Sequence, residues 1–313
     1  MEKVLTVTLN PAIDKSTTIA SLLPEKKLRC SEPIFEPGGG GVNVSRVLHN
    51  MGYSSTAMFM AGKHTGEFFT KLVEQEGIET LVVPIEGHTR ENLIVHDASN
   101  DLQYRFGMPG PTVQEHEWRD CLNKLKELKG YTYVVISGSN PAGVLPDFYS
   151  EAADIVKEKK CKLILDTSGE ALKHALREGV FLAKPNVGEL SSLVGGKELN
   201  ASSILDVARE IINKGYSEII VVSMGPAGAM LITAKEHFHV PAPALKIKST
   251  VGAGDSMVAG LIIGMQRKAS LKDILKYGVA AGTAATIQVG SGLCTKENIE
   301  KVRSFFVSEA VTN

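Results

Sequence analysis

The chain has 313 residues, of which 43% are hydrophobic and 22% charged, and its 34 Lys and Arg residues nearly balance 35 Asp and Glu residues. This composition is typical of a soluble globular protein, and a formal net charge of −1 excludes the strongly basic surface that nucleic-acid binding usually needs. No apolar stretch approaches the roughly 20 residues that span a bilayer, and no charged-then-apolar leader opens the chain. We therefore expect a cytoplasmic protein with no nucleic-acid or membrane partner.

The cysteines are few and widely spaced, with no CxxC pair: Cys30, Cys121, Cys161 and Cys294. This spacing argues against both a disulfide scaffold and a zinc site. It is consistent with a reducing compartment.

Strands and helices alternate along most of the sequence. Short apolar runs predict strands at 4–9, 56–60, 133–137, 162–166 and 218–223. Segments with helical periodicity lie between them at 42–52, 66–77 and 203–215, and each of these ends in glycine, a common helix stop. This order indicates crossover units and a mostly parallel sheet covered by helices on both faces.

Two segments, 15–36 and 90–107, interrupt the alternation, because they have strand-like patterning and no convincing helix. We interpret them as a small β-sheet that projects from the main domain as a lid. Such a sheet is unstable alone, so it should cover a cleft or pair with another copy. The apolar residues that we expect to need a partner in a homodimer are Leu23, Leu28, Ile34, Leu93 and Val95.

Glycine-rich turns are the candidate ligand sites, because open parallel sheets bind ligands where strands end and helices begin. They are EPGGGGVNV (36–44), ISGSNPAGV (136–144), SMGPAGAM (223–230) and STVGAGDSMV (249–258). None is a GxxxxGK[ST] phosphate loop, and GAGDSM lacks the third glycine of a dinucleotide fingerprint. Taken singly, each has a local explanation: SMGPAG can be a hairpin turn before AMLIT, and Asp255 can be a helix N-cap.

The turn at 249–258 sets Asp255 directly behind Gly252, Ala253 and Gly254, ahead of an apolar segment that resembles a buried helix. Free N–H groups at a helix start favour phosphate. An aspartate would repel that phosphate unless it is there to take a proton from an attacking hydroxyl. Phosphoryl transfer needs an anion-holding backbone, a metal and a positioned base. The combination therefore predicts that Asp255 faces the nucleophile while the N–H groups hold the phosphoryl group.

The motifs extend over nearly the whole chain: TLNPAID, EPGGGGVNVSR, ISGSNPAGV, DTSGEAL, KPNVGEL, VVSMGPAG and STVGAGDSMVAG. Through them the sequence resembles the phosphofructokinase-B (ribokinase-like) carbohydrate kinases. Within that family, KLRC (27–30), YRFGMPG (104–110) and the glycine run at 38–41 resemble the isozyme-2 type of 6-phosphofructokinase. Related 1-phosphofructokinases and tagatose-6-phosphate kinases usually carry lysine where this chain has Gly40.

The resemblance implies a ribokinase-like α/β fold, with residues 1–313 as one kinase domain, a mostly parallel central sheet flanked by helices, and a small projecting β-sheet lid. It implies ATP-dependent phosphorylation of fructose 6-phosphate at the C1 hydroxyl. The alternatives are tagatose-6-phosphate kinase, 1-phosphofructokinase, or a non-catalytic sugar-phosphate sensor. The catalytic base and the complete Gly-Ala-Gly turn argue against the sensor.

The resemblance also implies roles for individual residues on the sugar side. Asp255 is the expected catalytic base, and Gly252, Ala253 and Gly254 are expected to form the anion hole. The expected sugar contacts are Asp14, Gly38, Gly39 and Asn43. A separate group is expected around the 6-phosphate, where arginine suits the task through its two-pronged guanidinium. That group comprises Lys27, Arg90, Arg105 and Ser139.

On the nucleotide side, the resemblance assigns KPNVGE to ATP and Mg²⁺, with Glu189 acting on the metal through water. The expected ATP-binding residues are Lys184, Asn186, Ser223, Gly225, Gly228, Thr250, Val279 and Thr283. The family also implies a K⁺ site, made largely of backbone carbonyls near Ser249, Val251, Ala285, Gln288 and Gly290. A simpler interpretation of Glu189 is a salt-bridged residue at a helix start.

Overall fold

The computed structural model describes residues 2–288 and 293–308. The strands are β1 (Lys3–Thr8), β2 (Ala12–Ile19), β3 (Ile34–Gly38), β4 (Ser55–Ala61), β5 (Glu79–Pro84), β6 (Arg90–Asp97), β7 (Leu102–Phe106), β8 (Tyr131–Ser137), β9 (Lys162–Asp166), β10 (Val180–Ala183), β11 (Ser217–Ser223), β12 (Ala229–Ile232) and β13 (His237–Val240). The helices are α1 (Gly40–Asn50), α2 (Lys63–Gln75), α3 (Glu115–Glu127), α4 (Asp147–Glu158), α5 (Gly169–Glu178), α6 (Val187–Leu193), α7 (Ala201–Asn213), α8 (Ala253–Gln266), α9 (Leu271–Thr286) and α10 (Lys296–Ser308).

The large sheet has nine strands in the order β13-β12-β11-β10-β9-β8-β1-β4-β5. All neighbours pair in parallel except at one end, where β11, β12 and β13 pair antiparallel. This confirms the predicted mostly parallel sheet. The turn at SMGPAG does connect two antiparallel strands, as its local pattern allowed.

Helices cover both faces of this sheet, because alternate strand residues are apolar on both sides. Along β4, Met58 and Met60 belong to the apolar cluster that includes residues of α3 to α7, whereas Ala57 and Phe59 belong to a cluster on the other face with residues of α1 and α2. Helices α8, α9 and α10 complete that second face. Within the described residues, none of the helices is long and apolar enough to cross a membrane.

A second sheet of four strands, β3-β2-β6-β7, forms the predicted lid sheet. Its centre is a parallel pairing of β2 with β6 over eight residues, from Ala12 opposite Arg90 to Ile19 opposite Asp97. The outer strands β3 and β7 pair antiparallel. The two predicted segments therefore each supply two strands. The first segment is slightly longer than predicted, since β2 begins at residue 12 and β3 ends at residue 38, against the predicted bounds of 15–36.

The lid sheet exposes apolar residues, though not all those expected. Leu23 is 51% exposed and Ile34 is 64% exposed, as a contact with another copy would require. Val95 is only 6% exposed, so the expectation that it needs a partner is wrong. Burial does not alternate at this point of β6, since the adjacent Ile94 is also buried, so other residues of the same chain cover both side chains.

Helices α8 and α9 lie unusually close because small residues face each other. A Cβ atom at Gly260 would overlap the carbonyl oxygen of Tyr277, and one at Gly264 would lie 2.8 Å from the Cα atom of Ile274. Helix α8 is apolar around its circumference and buried from Ser256 to Met265, which is typical of a central helix.

We predict that Gly260→Ala destabilises the fold by about 1–3 kcal/mol through overpacking, although alanine is intrinsically the better helix former by about 1 kcal/mol. The measurement is urea unfolding followed by circular dichroism. Gly107→Ala is the control, since a Cβ atom there would meet nothing within 4 Å. Equal stability of the two variants would contradict the close packing.

Candidate active site

The candidate site lies at the carboxyl edge of the large sheet. Asn10 follows β1, Ser137 ends β8, Asp166 ends β9, and Lys184 follows β10. Because β10, β9, β8 and β1 are consecutive parallel neighbours in the sheet, their ends bring four polar side chains to one edge. The lid sheet and the start of α8 complete the surroundings.

The expected anion hole, residues 252–254, forms the start of α8, and we call these three residues the anion turn. Gly252 is the N-cap residue, with a left-handed φ of 68° that favours glycine, and Ala253 and Gly254 begin the helix. The N–H groups of a first helical turn have no partner within the helix, so they are available to an anion. Asp255 lies in this first turn, which excludes the alternative that it is the N-cap residue.

The Asp255 carboxylate is held by two elements. The side-chain amide of Asn43, on α1, donates to its Oδ2 atom at 2.8 Å. The hydroxyl of Ser137 lies 3.5 Å from its Oδ1 atom and 3.4 Å from an oxygen of Asp166. Burial raises the pKa of Asp255 to about 6, and the negative charge of Asp166 adds to that rise, against the hydrogen bond from Asn43.

A buried ion pair adjoins the anion turn. The ammonium of Lys184 lies 3.0 Å from Asp166 Oδ1, with both side chains largely buried. A Cβ atom at Gly254 would lie 3.4 Å from that ammonium, so the absence of a side chain at Gly254 lets Lys184 approach the turn. Burial opposes the charge of Lys184, but the carboxylate of Asp166 outweighs it and raises the pKa of Lys184.

A second polar group lies where the lid sheet meets α1. Asp14 is on β2, and its Oδ1 atom accepts a 2.8 Å hydrogen bond from Asn92 on β6. A Cβ atom at Gly38 would overlap the Asp14 carboxylate, so only glycine fits there. Burial raises the pKa of Asp14, against the Asn92 hydrogen bond and the charge of Arg90. Asp14 therefore lies within a strand, with its side chain held by the neighbouring strand.

Arg90 and Ser139 meet at the base of the lid sheet, as predicted. The Arg90 guanidinium donates to the carbonyl oxygen of Asn10 at 3.0 Å and to that of Met108 at 3.2 Å, and it lies 3.5 Å from the Ser139 hydroxyl. The amide of Asn10 donates to the same hydroxyl at 3.2 Å. The Asn10 Oδ1 and Arg90 Nε atoms are buried without a protein partner, which is typical of a binding surface.

The other two expected phosphate-binding residues lie elsewhere. Arg105 is on β7 opposite Ile94, four residues beyond Arg90 along β6, which is roughly 13 Å of strand. Its guanidinium donates to the Ser249 hydroxyl at 3.1 Å, beside the anion turn. Lys27 is exposed between β2 and β3. The resemblance to the family grouped these residues around one phosphate, and nothing in the sequence indicated their separation along the lid sheet.

Six of the eight expected ATP-binding residues line one cavity of about 370 Å³: Ser223, Gly225, Gly228, Thr250, Val279 and Thr283. Its walls are mainly apolar, with Pro243, Leu245 and Ile247 among the lining residues. Ala253 and Gly254 also line it, so the cavity reaches the anion turn. A cavity of this kind suits a ring with an anionic tail.

Asn186 and Glu189 form a capping box at the start of α6. The N–H of Asn186 donates to Glu189 Oε2, and the N–H of Glu189 donates to Asn186 Oδ1, each at 2.8 Å. Burial raises the pKa of Glu189, against the backbone hydrogen bond from Asn186. The N-x-x-E spacing is therefore explained structurally by the cap. Glu189 does lie at a helix start, but among the described residues its carboxylate forms no salt bridge and accepts instead from the backbone N–H of Asn186.

The segments expected to bind K⁺ are adjacent. The N–H groups of Lys248 and Ser249 donate to the carbonyl oxygen of Thr286, which joins the stretch before the anion turn to the end of α9. Val251 and Gln288 belong to these same two segments, as does Ala285, whose carbonyl accepts from Gln288. Gly290 lies outside the described residues.

The acidic side chains of the site could hold a hydrated Mg²⁺ ion but do not enclose a bare one. Within residues 2–288 and 293–308, no three His, Cys, Asp or Glu side chains gather closely enough to enclose a metal ion. Mg²⁺ typically keeps several waters and uses one or two carboxylates together with substrate phosphates. The carboxylates of Glu189 and Asp166, which interact electrostatically, fit that requirement.

Residues 6–298 match the pfkB family of carbohydrate kinases. The chain belongs to this family. The pfkB match covers both the lid sheet and the anion turn, and it confirms the resemblance identified from the motifs.

Two pfkB relatives span nearly the whole chain. The ATP-dependent 6-phosphofructokinase isozyme 2 of Escherichia coli is 40% identical over 306 residues, covering 97% of this chain and 99% of that protein. A 1-phosphofructokinase of Borreliella burgdorferi is 34% identical over 300 residues, covering 96% of each.

Solved pfkB structures confirm the ribokinase-like fold. The crystal structure of phosphofructokinase-2 from Escherichia coli in complex with potassium has a TM-score of 0.94 at 39% identity, covering 98% of this chain and all of that one. Structures of the same protein with fructose-6-phosphate and in a tetrameric inhibited form have TM-scores of 0.91 and 0.92.

Several residues of the site were not identified from the sequence: Asn10, Asn92, Ser137 and Asp166. Asn10 and Asp166 stand within quoted motifs, TLNPAID and DTSGEAL, so the position after a strand was the available signal. Asn92 carries no such signal, because only the pairing of β2 with β6 brings it to Asp14.

We predict that Asp255→Asn raises the free energy of unfolding by about 1–3 kcal/mol at pH 8, because the carboxylate pKa is raised to about 6 in the folded chain. The ionised carboxylate destabilises the folded state fully above pH 6. That penalty disappears as the pH falls towards 4, so the two proteins should converge there.

Urea unfolding at pH 8 and pH 5 measures this difference, which should be clearly smaller at pH 5 than at pH 8 because pH 5 lies between the folded and the unfolded pKa of Asp255. Asp154→Asn, at an exposed position of α4, is the control and should change stability at neither pH. An Asp255→Asn protein less stable than the wild type at pH 8 would contradict the burial penalty.

Proposed function

We propose that this chain is an ATP-dependent 6-phosphofructokinase that phosphorylates fructose 6-phosphate at its C1 hydroxyl and yields fructose 1,6-bisphosphate, acting in the cytoplasm as a glycolytic step. The observation that carries the proposal is the position of Asp255. It directly follows Ala253 and Gly254, which line the cavity of the expected ATP residues, and its carboxylate bonds Asn43, on the helix that follows the contact of Gly38 with Asp14. The names of the Escherichia coli relatives support this substrate.

In this reaction, Asp255 accepts the proton of the C1 hydroxyl as that oxygen attacks the γ-phosphorus of ATP, and the bond from this phosphorus to the bridging oxygen breaks, so that ADP leaves. The bond from Asn43 fixes the carboxylate rotamer and leaves its other oxygen towards Ser137. The N–H groups of Gly252, Ala253 and Gly254 stabilise the charge on the phosphoryl oxygens, and the Lys184 ammonium adds positive charge beside the turn. Asp14 orients sugar hydroxyls as an acceptor.

Two cations belong to the proposal. Glu189, with Asp166 nearby, would hold hydrated Mg²⁺, which supplies positive charge to the ATP phosphates when bound. Carbonyl groups of the segments around Ser249 and Ala285 would hold K⁺, supported by the potassium complex of the Escherichia coli protein. Both assignments concern residues beside the anion turn.

A sister specificity is the second candidate, because a 1-phosphofructokinase is also a full-length relative. The glycine run bears on the choice: a Cβ atom at Gly40 would lie 2.6 Å from the backbone nitrogen of Gly138. A lysine there, as those kinases usually have, would push α1 away from the end of β8. Measuring kcat/KM for fructose 6-phosphate, tagatose 6-phosphate and fructose 1-phosphate tests the choice.

We predict that Asp255→Asn binds ATP and sugar phosphate normally but loses turnover by about 10²–10⁴-fold, because no other base replaces it. Calorimetry measures binding and single-turnover kinetics measures the chemical step, with Asp154→Asn as the control. A variant that keeps more than about a tenth of the wild-type rate would exclude the assignment of Asp255 as base.

We predict that Arg90→Ala raises the KM for fructose 6-phosphate about ten- to a hundredfold while the ATP KM stays within about twofold, since one charge-assisted contact is lost. Steady-state kinetics measures both. Arg119→Ala, which removes an exposed ion pair on α3, is the control. The assignment of Arg90, Arg105 and Lys27 to the 6-phosphate is wrong if alanine at each of these positions leaves the KM for fructose 6-phosphate within twofold of the wild-type value.

We also propose a homodimer formed through the lid sheet, with Lys27 reaching towards the neighbouring site. Ile34→Lys should then produce monomers in sedimentation velocity, because it places a charge on the most exposed large apolar residue of the sheet. Phe305→Lys, on α10, is the matched control. A wild-type monomer that is active at nanomolar concentration would refute the dimer.

A further inference from the structure

Arg46 is a buried cation at the junction of the lid sheet with the main domain. It lies on α1 and is only 7% exposed. Its Nε atom donates to the Glu76 carboxylate at 2.7 Å, its Nη1 atom to the carbonyl oxygen of Pro37 at 2.9 Å, and its Nη2 atom lies 3.3 Å from Glu36. One guanidinium thus joins α1, the residue after α2, and the lid strand β3.

The carbonyl that Arg46 binds belongs to the peptide bond leading into Gly38. That glycine packs so closely on Asp14 that a side chain would overlap the carboxylate. Any movement of the Pro37–Gly38 peptide therefore changes the space around Asp14. The register of β2 with β3 also places Glu36 opposite Asp14, so Arg46 neutralises a carboxylate directly beside the one expected to bind sugar.

Arg46 also follows Asn43 by one helical turn on α1. Asn43 bonds Asp255, so the same helix carries the contact to the catalytic base and the contact to the lid strand. Because the guanidinium is planar and forked, it can satisfy all three partners at once, which a lysine ammonium cannot do with the same reach.

We propose that Arg46 is a positioning residue for the sugar substrate: it fastens the lid strand β3 to α1 and thereby sets the place where Gly38 and Asp14 meet the sugar. The inference rests on the proposed function for the identity of that sugar. Arg46 itself does not touch the reacting atoms.

Arg46→Met and Arg46→Lys test the proposal. Methionine keeps most of the apolar stem, and lysine keeps the charge without the fork. We expect the KM for fructose 6-phosphate to rise about tenfold or more in Arg46→Met and by a smaller factor in Arg46→Lys, with the ATP KM within about twofold of wild type in both. Equal changes in both KM values, or none, would overturn it.

Leu125→Ala separates positioning from lost stability, because it removes a buried side chain of α3 that packs near the start of β8, at the opposite edge of the large sheet from the candidate site. It should leave both KM values unchanged at a temperature where all variants are folded. If Arg46→Met shows only the behaviour of Leu125→Ala, Arg46 has a structural role alone and the proposal fails.

The pH dependence of the sugar KM gives a further test, made with Arg46→Met alone and together with Glu36→Gln. Asp14 is faced by Arg90, Glu36 and Arg46, and removing Arg46 leaves Glu36 to raise the pKa of Asp14. The sugar KM of Arg46→Met should therefore worsen at a higher pH than in the wild type as the pH is lowered. Adding Glu36→Gln should reverse that displacement. A double variant with the same pH profile as Arg46→Met would count against the proposal.

Hydrogen exchange tests the role of Arg46 without any substrate, so its result does not depend on which sugar phosphate the enzyme uses. The amides of β3, which are those of residues 34–36 and 38, should exchange faster in Arg46→Met, while those of α8 stay protected. Unchanged exchange at these four β3 amides overturns the proposal. If the wild type fails to phosphorylate fructose 6-phosphate, the proposed function fails, and the kinetic test is then made with whichever of the three sugar phosphates is turned over.

Discussion

Two carboxylates, Asp255 and Asp166, share one edge of the sheet with the buried ammonium of Lys184. Lys184 forms its salt bridge with Asp166, and among the described residues Asp255 forms none, although the charge of Lys184 also acts on it. Its compensation comes from the Asn43 amide and from the start of α8. A carboxylate held in this way is costly to keep ionised, and for that reason it is a capable proton acceptor near neutral pH.

The architecture supplies the rigidity that this arrangement needs. The ends of β8, β9 and β10 are consecutive in the sheet, so Ser137, Asp166 and Lys184 are spaced by strand separation. Helix α8 is buried along its length and packed on α9 through glycine, which fixes the turn that precedes it. The stability of the central helices thus maintains a local charge arrangement that by itself is unfavourable.

The sequence predicted the repeating elements well, because strands and helices differ in the period of their apolar residues. It also predicted which turns end at the site, since glycine and small residues mark a strand-to-helix turn. Val95 shows where such reasoning stops: alternation indicates a face, but the sequence does not state what covers it. Likewise, the separation of Arg105 from Arg90 depends on the register between β6 and β7.

Contacts between residues far apart in the chain were even harder to predict from the sequence. Asn92 meets Asp14 only because β2 and β6 pair across 78 positions, and neither strand carries a signal for parallel pairing. The N-x-x-E spacing was assigned to the nucleotide and the metal, whereas the structure also accounts for it as a capping box. A motif can therefore serve helix formation and chemistry with the same two side chains.

The lid sheet is made from two separate excursions of the chain, and its central pairing joins one strand from each. Neither excursion forms that sheet by itself, since losing one would leave a two-stranded ribbon with an open edge. A lid of this construction cannot be grafted onto or cut from a kinase as one continuous cassette. During evolution, or in a chimera, two insertions distant in the gene must be inherited together and must stay matched in register.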